Sequence, residues 1–160
     1  MSRPLPVPTL NPEASLESNA RQVLAVRITD LFNYAPIIPD ADAVEELHDA
    51  RIAAKRLRYT LELFPSLYAA SGEKVLTDLK LLQEELGQIH DSDVRITLIE
   101  SELAQLKPGK KTAARQGLEA LLVSEQAGRS SRHAEIVTLW RKLKRGRFEA
   151  RLTALTNPAS

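Results

Sequence analysis

Apolar residues recur every three or four positions along most of this chain, the spacing of amphipathic helices. Leu16, Ala20, Val23, Leu24, Ile28 and Leu31 mark a first helix from about Glu13 to Tyr34. Pro36 and Pro39 in "APIIPDAD" break it. A second helix follows, with Asp40 or Asp42 as its expected cap and Glu45 and Glu46 in the first turn, where the helix dipole favours acids. It reaches Pro65, which ends it or kinks it with one more turn to about Ala70. "SGEK" at 71–74 reads as a junction, and a third helix runs from about Glu73 to Leu106. "KPGKK" at 107–111 is a turn, and a fourth helical region covers Thr112 to Leu155 with an interruption expected near Gly128. Four prolines before residue 13 make residues 1–13 a flexible arm, residues 14–155 the domain, and 156–160 a frayed tail. Short turns between long helices imply an all-α, antiparallel four-helix bundle.

The polar positions are less ordinary than the apolar ones. On the second helix His48, Arg51, Lys55 and Arg58 are spaced 3, 4 and 3, which aligns them in one stripe. Leu47, Ala54, Leu57, Leu61 and Phe64 flank the stripe on one side, and Ile52, Tyr59 and Leu63 on the other. Glu45, Asp49, Arg56 and Thr60 form the expected solvated sector, so Arg56 stands apart from the stripe. Four cations buried without partners would be prohibitive, so they line an open groove or an internal ion-pair network. Long side chains snorkelling past a core edge are the ordinary alternative. On the third helix Lys80, Gln83, Gly87 and His90 repeat the 3, 4, 3 spacing between Leu79, Leu82, Leu86 and Ile89. Side-by-side packing of the two helices would turn two stripes into the walls of one groove. Gly87 inside a helix costs about 1 kcal/mol relative to alanine, which suggests close approach of a backbone or a ligand, or a packing role.

On the fourth helix His133, Val137, Trp140, Lys144, Arg147 and Arg151 share a face. Several cations between Arg141 and Arg151 must be ordinary surface ones, and Trp140 reads as core; Lys144 and Arg147 are the candidates for ligand contact.

Charge and composition narrow the classes. The 160 residues hold 22 basic and 21 acidic side chains, net +1, so any polyanion site must come from arrangement rather than excess. There is no cysteine, which removes disulfides and thiolate metal sites and fits a reducing cytoplasm. No apolar run approaches membrane-spanning length, and the N-terminus lacks the apolar core of a signal peptide. "HD" occurs twice, at His48-Asp49 and His90-Asp91, with Asp93 close by. A metal-assisted phosphohydrolase using His48, His90, Asp91 and Asp93 is therefore one alternative. The simpler expectation is that Asp91 and Asp93 pair with cations of a neighbouring helix and hold the cation row. No phosphate-binding glycine loop or nucleophile motif occurs, so no catalytic residue is assigned and no cofactor is expected. A nucleic-acid binder and a purely structural adaptor with internal ion pairs also fit a cation-rich helical chain; little aromatic interleaving disfavours the former.

Two segments carry a family resemblance. "LHDARIAAKRLRYTLELF" at 47–64 and "LKLLQEELGQIHDSDV" at 79–94 resemble the CHAD family, the conserved histidine α-helical domain. The matching positions are His48, Arg51 and Lys55-Arg56-Leu57-Arg58-Tyr59, then Leu82-Gln83, Leu86-Gly87 and His90-Asp91-Ser92-Asp93. The resemblance implies a domain that binds inorganic polyphosphate on a basic surface and is associated with polyphosphate granules. On that reading His48, Arg51, Lys55, Arg58, Lys80, Gln83, His90, Lys144 and Arg147 contact the polymer, and Gly87, Asp91, Asp93 and Tyr59 support them. The family typically has two four-helix halves, and this chain is long enough for one, most similar to the second half. Either one bundle suffices or two chains associate, and apolar surface left on a single bundle favours a homodimer.

Overall fold

A computed structural model describes residues 4–7, 9–68, 72–106 and 112–157. Among these there are five α-helices and no strand: α1 (Leu16–Phe32), α2 (Val44–Leu63), α3 (Glu73–Gln105), α4 (Ala113–Arg145) and α5 (Phe148–Ala154). One 3-10 turn, Pro65–Leu67, follows α2.

The helix ends follow local chemistry, not always where the pattern put them. Ser15 caps α1, its hydroxyl accepting from the Ser18 amide. Thr112 does the same for α4, accepting from the Arg115 amide. Neither Asp40 nor Asp42 caps α2: its cap is Ala43, with no side-chain bond, and the Asp40 carboxylate accepts instead from the Asp42 amide. Asp40 is used up in tightening the preceding turn. Proline ends α2 as a stop: Phe64 before Pro65 leaves the helical region (φ −126°, ψ 70°), which a following proline disfavours. Gly128 does not interrupt α4, which runs unbroken through it. The break comes at Gly146–Arg147, where Arg147 adopts a left-handed conformation (φ 54°) and α5 begins. The junction at 69–71, the turn at 107–111 and the end of the tail at 158–160 lie outside the described residues. Of the N-terminal arm, Leu5 is fastened to α1: its amide donates to Asp30 and its carbonyl accepts from Arg27.

The core is built from the apolar stripes. Leu24, Leu31, Leu57, Leu61, Leu79, Leu82, Leu86, Ile89, Ile136 and Leu152 are fully buried, and Phe32 packs against Trp140 and Phe148. Helix α2 lies against α1 and α3, and α3 against α2 and α4. His48 meets His90 while Glu62 meets Lys80, so α2 and α3 are antiparallel. Glu125 meets Arg95 and Arg129 meets Asp93, so α3 and α4 are antiparallel too. At 33 residues each, α3 and α4 are about 50 Å long, well beyond the reach of α1 and α2. Their outer halves continue as a helical pair with few buried residues and with Leu98, Leu121 and Val123 exposed.

Candidate functional site

The α2–α3 seam is where the sequence's two polar stripes meet. The His48 and His90 Nδ1 atoms are 3.0 Å apart. One turn on, the Nε of Arg51 lies 3.6 Å from where a side chain on Gly87 would begin. The same antiparallel register sets Lys55 level with Gln83 and Arg58 level with Lys80. The seam is thus lined as expected by His48, Arg51, Lys55 and Arg58 on one wall and Lys80, Gln83, Gly87 and His90 on the other.

The surroundings of the α2 stripe differ from the expected picture. Thr60, expected in solvent, is only 8% exposed, and its hydroxyl donates to the Arg56 carbonyl. Tyr59 and Leu63, expected as an apolar flank, are 45% and 73% exposed. The reason is that α2 is covered on two sides. Burial against α1 and α3 extends the core arc to Ala53 and Thr60, which rotates the open sector onto Tyr59 and Leu63. The cations therefore border the core on one side and solvent on the other, half-buried at an open edge. Arg58 and Lys55 lie over the Tyr59 ring, at 4.8 and 5.6 Å from its centre. An exposed aromatic face holds these cations without neutralising them.

The imidazoles of His48 and His90 are close enough to share one hydrogen, with ring centres 4.2 Å apart. Burial pushes His48 below the ordinary histidine value; the charges of His90 and Arg51 push the same way, and Asp49 opposes them. In the free protein His48 thus favours its neutral form.

Acidic residues bound the seam. At one end Glu62 reaches Lys80 at 3.1 Å and Arg58 at 3.6 Å. Sequence reasoning passed over this bridge, although Glu62 stands four residues after Arg58, the helical spacing for an ion pair. At the other end, beyond the histidines, a cavity of about 480 Å³ is lined by Val44, Val94, Thr97 and Leu98 with Glu45, Asp49 and Asp93. Within the seam the Arg58 Nε and Gln83 Oε1 are buried and have no hydrogen-bond partner among the described residues.

The expected supports divide. Asp93 pairs with Arg129 of α4, so it braces α3 against α4 and not against the cation row. Asp91 is exposed and makes no ion pair among the described residues, a correction to its expected role: it lies on the solvent side of α3, out of reach of a neighbouring helix. Ser92, unremarked in the sequence, is the buried residue of that segment and accepts from Arg95 and Arg132. Among the described residues no three His, Asp or Glu side chains converge as metal ligands. Lys144 and Arg147 do not join the seam. They line a different depression with Phe32, Ala35, Trp140 and Phe148, on the α1 side of α4, and the backbones of α2 and α4 make no contact. The face that the α4 pattern implied is split by the break at Gly146, with Trp140 buried and Lys144 and Arg147 in solvent.

The molecule so described is a small helical bundle whose open seam is lined with cations and paired histidines. The family model described as CHAD domain matches residues 3–100, more than half of the chain, and the protein belongs to that family. The match covers α1, α2 and most of α3, including every seam residue, and stops before α4. No curated protein and no solved structure matches the chain. Among the described residues no helix is long and apolar enough to cross a membrane.

Proposed function

We propose that the α2–α3 seam binds inorganic polyphosphate without catalysing its turnover. CHAD domains in general bind this polymer, and the chain's membership of the family supports the reading. The observation that carries it to these residues is the state of the seam's charges. Arg51 and Lys55 are half-buried, aligned one turn apart, and have no carboxylate partner among the described residues. A solvated salt-bridge face would have paired them. Cations recurring about every 5 Å along a helix can engage successive phosphates of a linear polymer. The arginines suit forked hydrogen bonds to phosphate oxygens, and Lys55 and Lys80 act as point charges. His48 and His90 engage each other through Nδ1, which leaves Nε2 of each ring for the polymer.

Binding of this kind releases counterions, so it weakens with salt. With Arg51, Lys55, Arg58 and Lys80 as contacts, affinity should fall about 50-fold between 50 and 200 mM salt, taking the single-strand slope. The test is titration of the native chain and of a variant with Arg51, Lys55 and Arg58 replaced by alanine. Short-chain polyphosphate should bind the variant about 100-fold more weakly at unchanged helicity, roughly 0.9 kcal/mol per cation removed. Full-strength binding by the folded variant puts the site elsewhere. Phosphate release that requires a divalent cation, and is lost on replacing Asp91 or Asp93, would make the protein a hydrolase instead.

A further inference from the structure

Ion pairing sorts the cations of this protein. Along α1, α3 and the first half of α4 nearly every lysine and arginine of the described residues reaches a carboxylate: Arg21, Arg27, Lys74, Lys80, Arg95, Arg115 and Arg129 all do. Arg132 is held by the Ser92 hydroxyl instead, and the other cations without a carboxylate gather in two places. One is the α2 segment around the seam. The other is the end of α4, where Arg141, Lys142, Lys144, Arg145 and Arg147 are all exposed and make no ion pair among the described residues. The helix dipole favours cations in a last turn, but Arg147 lies beyond that turn. It also holds a left-handed backbone position where glycine is the usual occupant.

This surface is concave. Thr138, Arg141, Lys144 and Arg145 line one depression of about 550 Å³, and Lys144 also lines the next, of about 370 Å³, with Arg147 and Trp140. Trp140 is 2% exposed, and its indole N–H is buried without an acceptor among the described residues. Lys144 and Arg147 are the cations of this second depression, with Glu149 the one acid lining it. Of the aromatic residues here, Trp140 and Phe148 are buried and the half-buried Phe32 packs against both, so no free ring is offered for base stacking. The chemistry fits a phosphate polymer without bases.

We propose that the end of α4 is a second polyphosphate-binding surface, separate from the α2–α3 seam. It lies outside the segment that the family model matches. The identity of the ligand rests on the reading of the seam; the surface itself does not. Two sites on different sides of one small protein let a long polymer bind one copy twice or link several copies, which a short polymer cannot do.

Trp140 is the only tryptophan, so its fluorescence reports on this surface directly. The experiment compares the full chain, the seam variant (Arg51, Lys55 and Arg58 to alanine) and an α4 variant (Arg141, Lys142, Lys144, Arg145 and Arg147 to glutamine). A milder Arg141→Gln, Arg145→Gln variant serves should the fivefold one lose helicity. Each is titrated with tripolyphosphate and with long-chain polyphosphate, followed by fluorescence, calorimetry and light scattering. The seam variant should keep a saturable, salt-sensitive fluorescence change; the α4 variant should lose it while still binding tripolyphosphate at the seam. Long-chain polymer should make the native protein scatter, and the α4 variant at least tenfold less. An α4 variant that scatters and saturates like the native chain overturns this proposal and leaves the seam standing. A seam variant that binds like the native chain, with all binding lost in the α4 variant, overturns the seam reading and leaves this surface as the site. Tighter binding of single-stranded RNA than of polyphosphate by the seam variant also overturns the proposal, and a native chain that binds no polyphosphate ends both.

Discussion

Gly87→Ala separates what the seam needs for folding from what it needs for binding. A glycine inside α3 suggests a neighbour too close for a side chain, but the structure shows no such neighbour. A methyl built on Gly87 would meet only the Nε of Arg51, at 3.6 Å, an ordinary van der Waals separation. No backbone atom of a neighbouring helix lies within reach, and the residue has ordinary helical geometry. Folding should therefore gain the full helix-propensity difference, about 0.8–1 kcal/mol. In a chain of this size that raises the melting temperature by about 2–4 °C. Binding should move the other way. The methyl would occupy the floor of the seam beside Arg51, where a phosphate must come close to use both walls. Polyphosphate affinity should fall about three- to tenfold, or about 0.7–1.4 kcal/mol. Circular-dichroism melts and calorimetric titration of the same two proteins measure both effects. A lowered melting temperature would refute the packing argument. A raised one with unchanged affinity would show that the glycine is not kept for the ligand.

Glu62→Gln should tighten polyphosphate binding about two- to fivefold, because it frees Arg58 and Lys80 from their shared carboxylate. It should also cost up to about 1 kcal/mol of stability, read from urea melts, by removing a link between α2 and α3; weaker binding would mean that Glu62 positions the cations rather than masking them. Polyphosphate affinity should rise as pH falls and go on rising below the ordinary histidine value of 6.5, because His48 is shifted below it in the free fold. In the free fold His48 is held neutral by burial, His90 and Arg51 against the pull of Asp49, so protonation opposes the free fold and favours the polyanion complex. His48→Gln should flatten that rise in binding titrations across pH 5 to 8. Burial, with Glu135 and Glu84 adding and Arg132 opposing, pushes Glu85 above the ordinary carboxylate value. Its charged form therefore costs stability at neutral pH; Glu85→Gln should melt higher than the native chain at pH 7, and the gap should close as pH falls toward 4.5.

What could be read from the sequence was what periodicity encodes. The apolar spacing located α1 to α4, and the matched 3, 4, 3 stripes located the two walls of the seam. Where reading failed, the missing information was tertiary. Helix periodicity says which residues share a face but not how many neighbours cover that face, so Thr60 lies in the core and not in solvent, and the apolar flank at Tyr59 and Leu63 stays open. The glycines make the same point. A side chain on Gly72 would overlap Tyr68, while Gly87 has room to spare, and no spacing rule separates the two. Asp91 and Asp93 are chemically alike and two residues apart, yet only Asp93 falls on the side of α3 that meets Arg129. Lys144 and Arg147 have the right chemistry for a polyanion, but α4 turns them toward α1 and away from the seam.

The near-zero net charge follows from the same geometry, since paired charges cancel in the total but not in position. Of the seam's cations, Arg51 and Lys55 stay open in the middle and Arg58 and Lys80 are partly masked by Glu62. Glu45, Asp49 and Asp93 close the far end beyond His48. From His48 to Arg58 the seam is about 15 Å long. The Debye length at physiological salt is about 8 Å, so a small anion held at one end does not feel the other. A polymer lying along the seam gains from both ends and pays the cost of association once. On the proposed function, preference for a chain over a single phosphate follows from the length of the cation row, with no need for a pocket shaped to one phosphate.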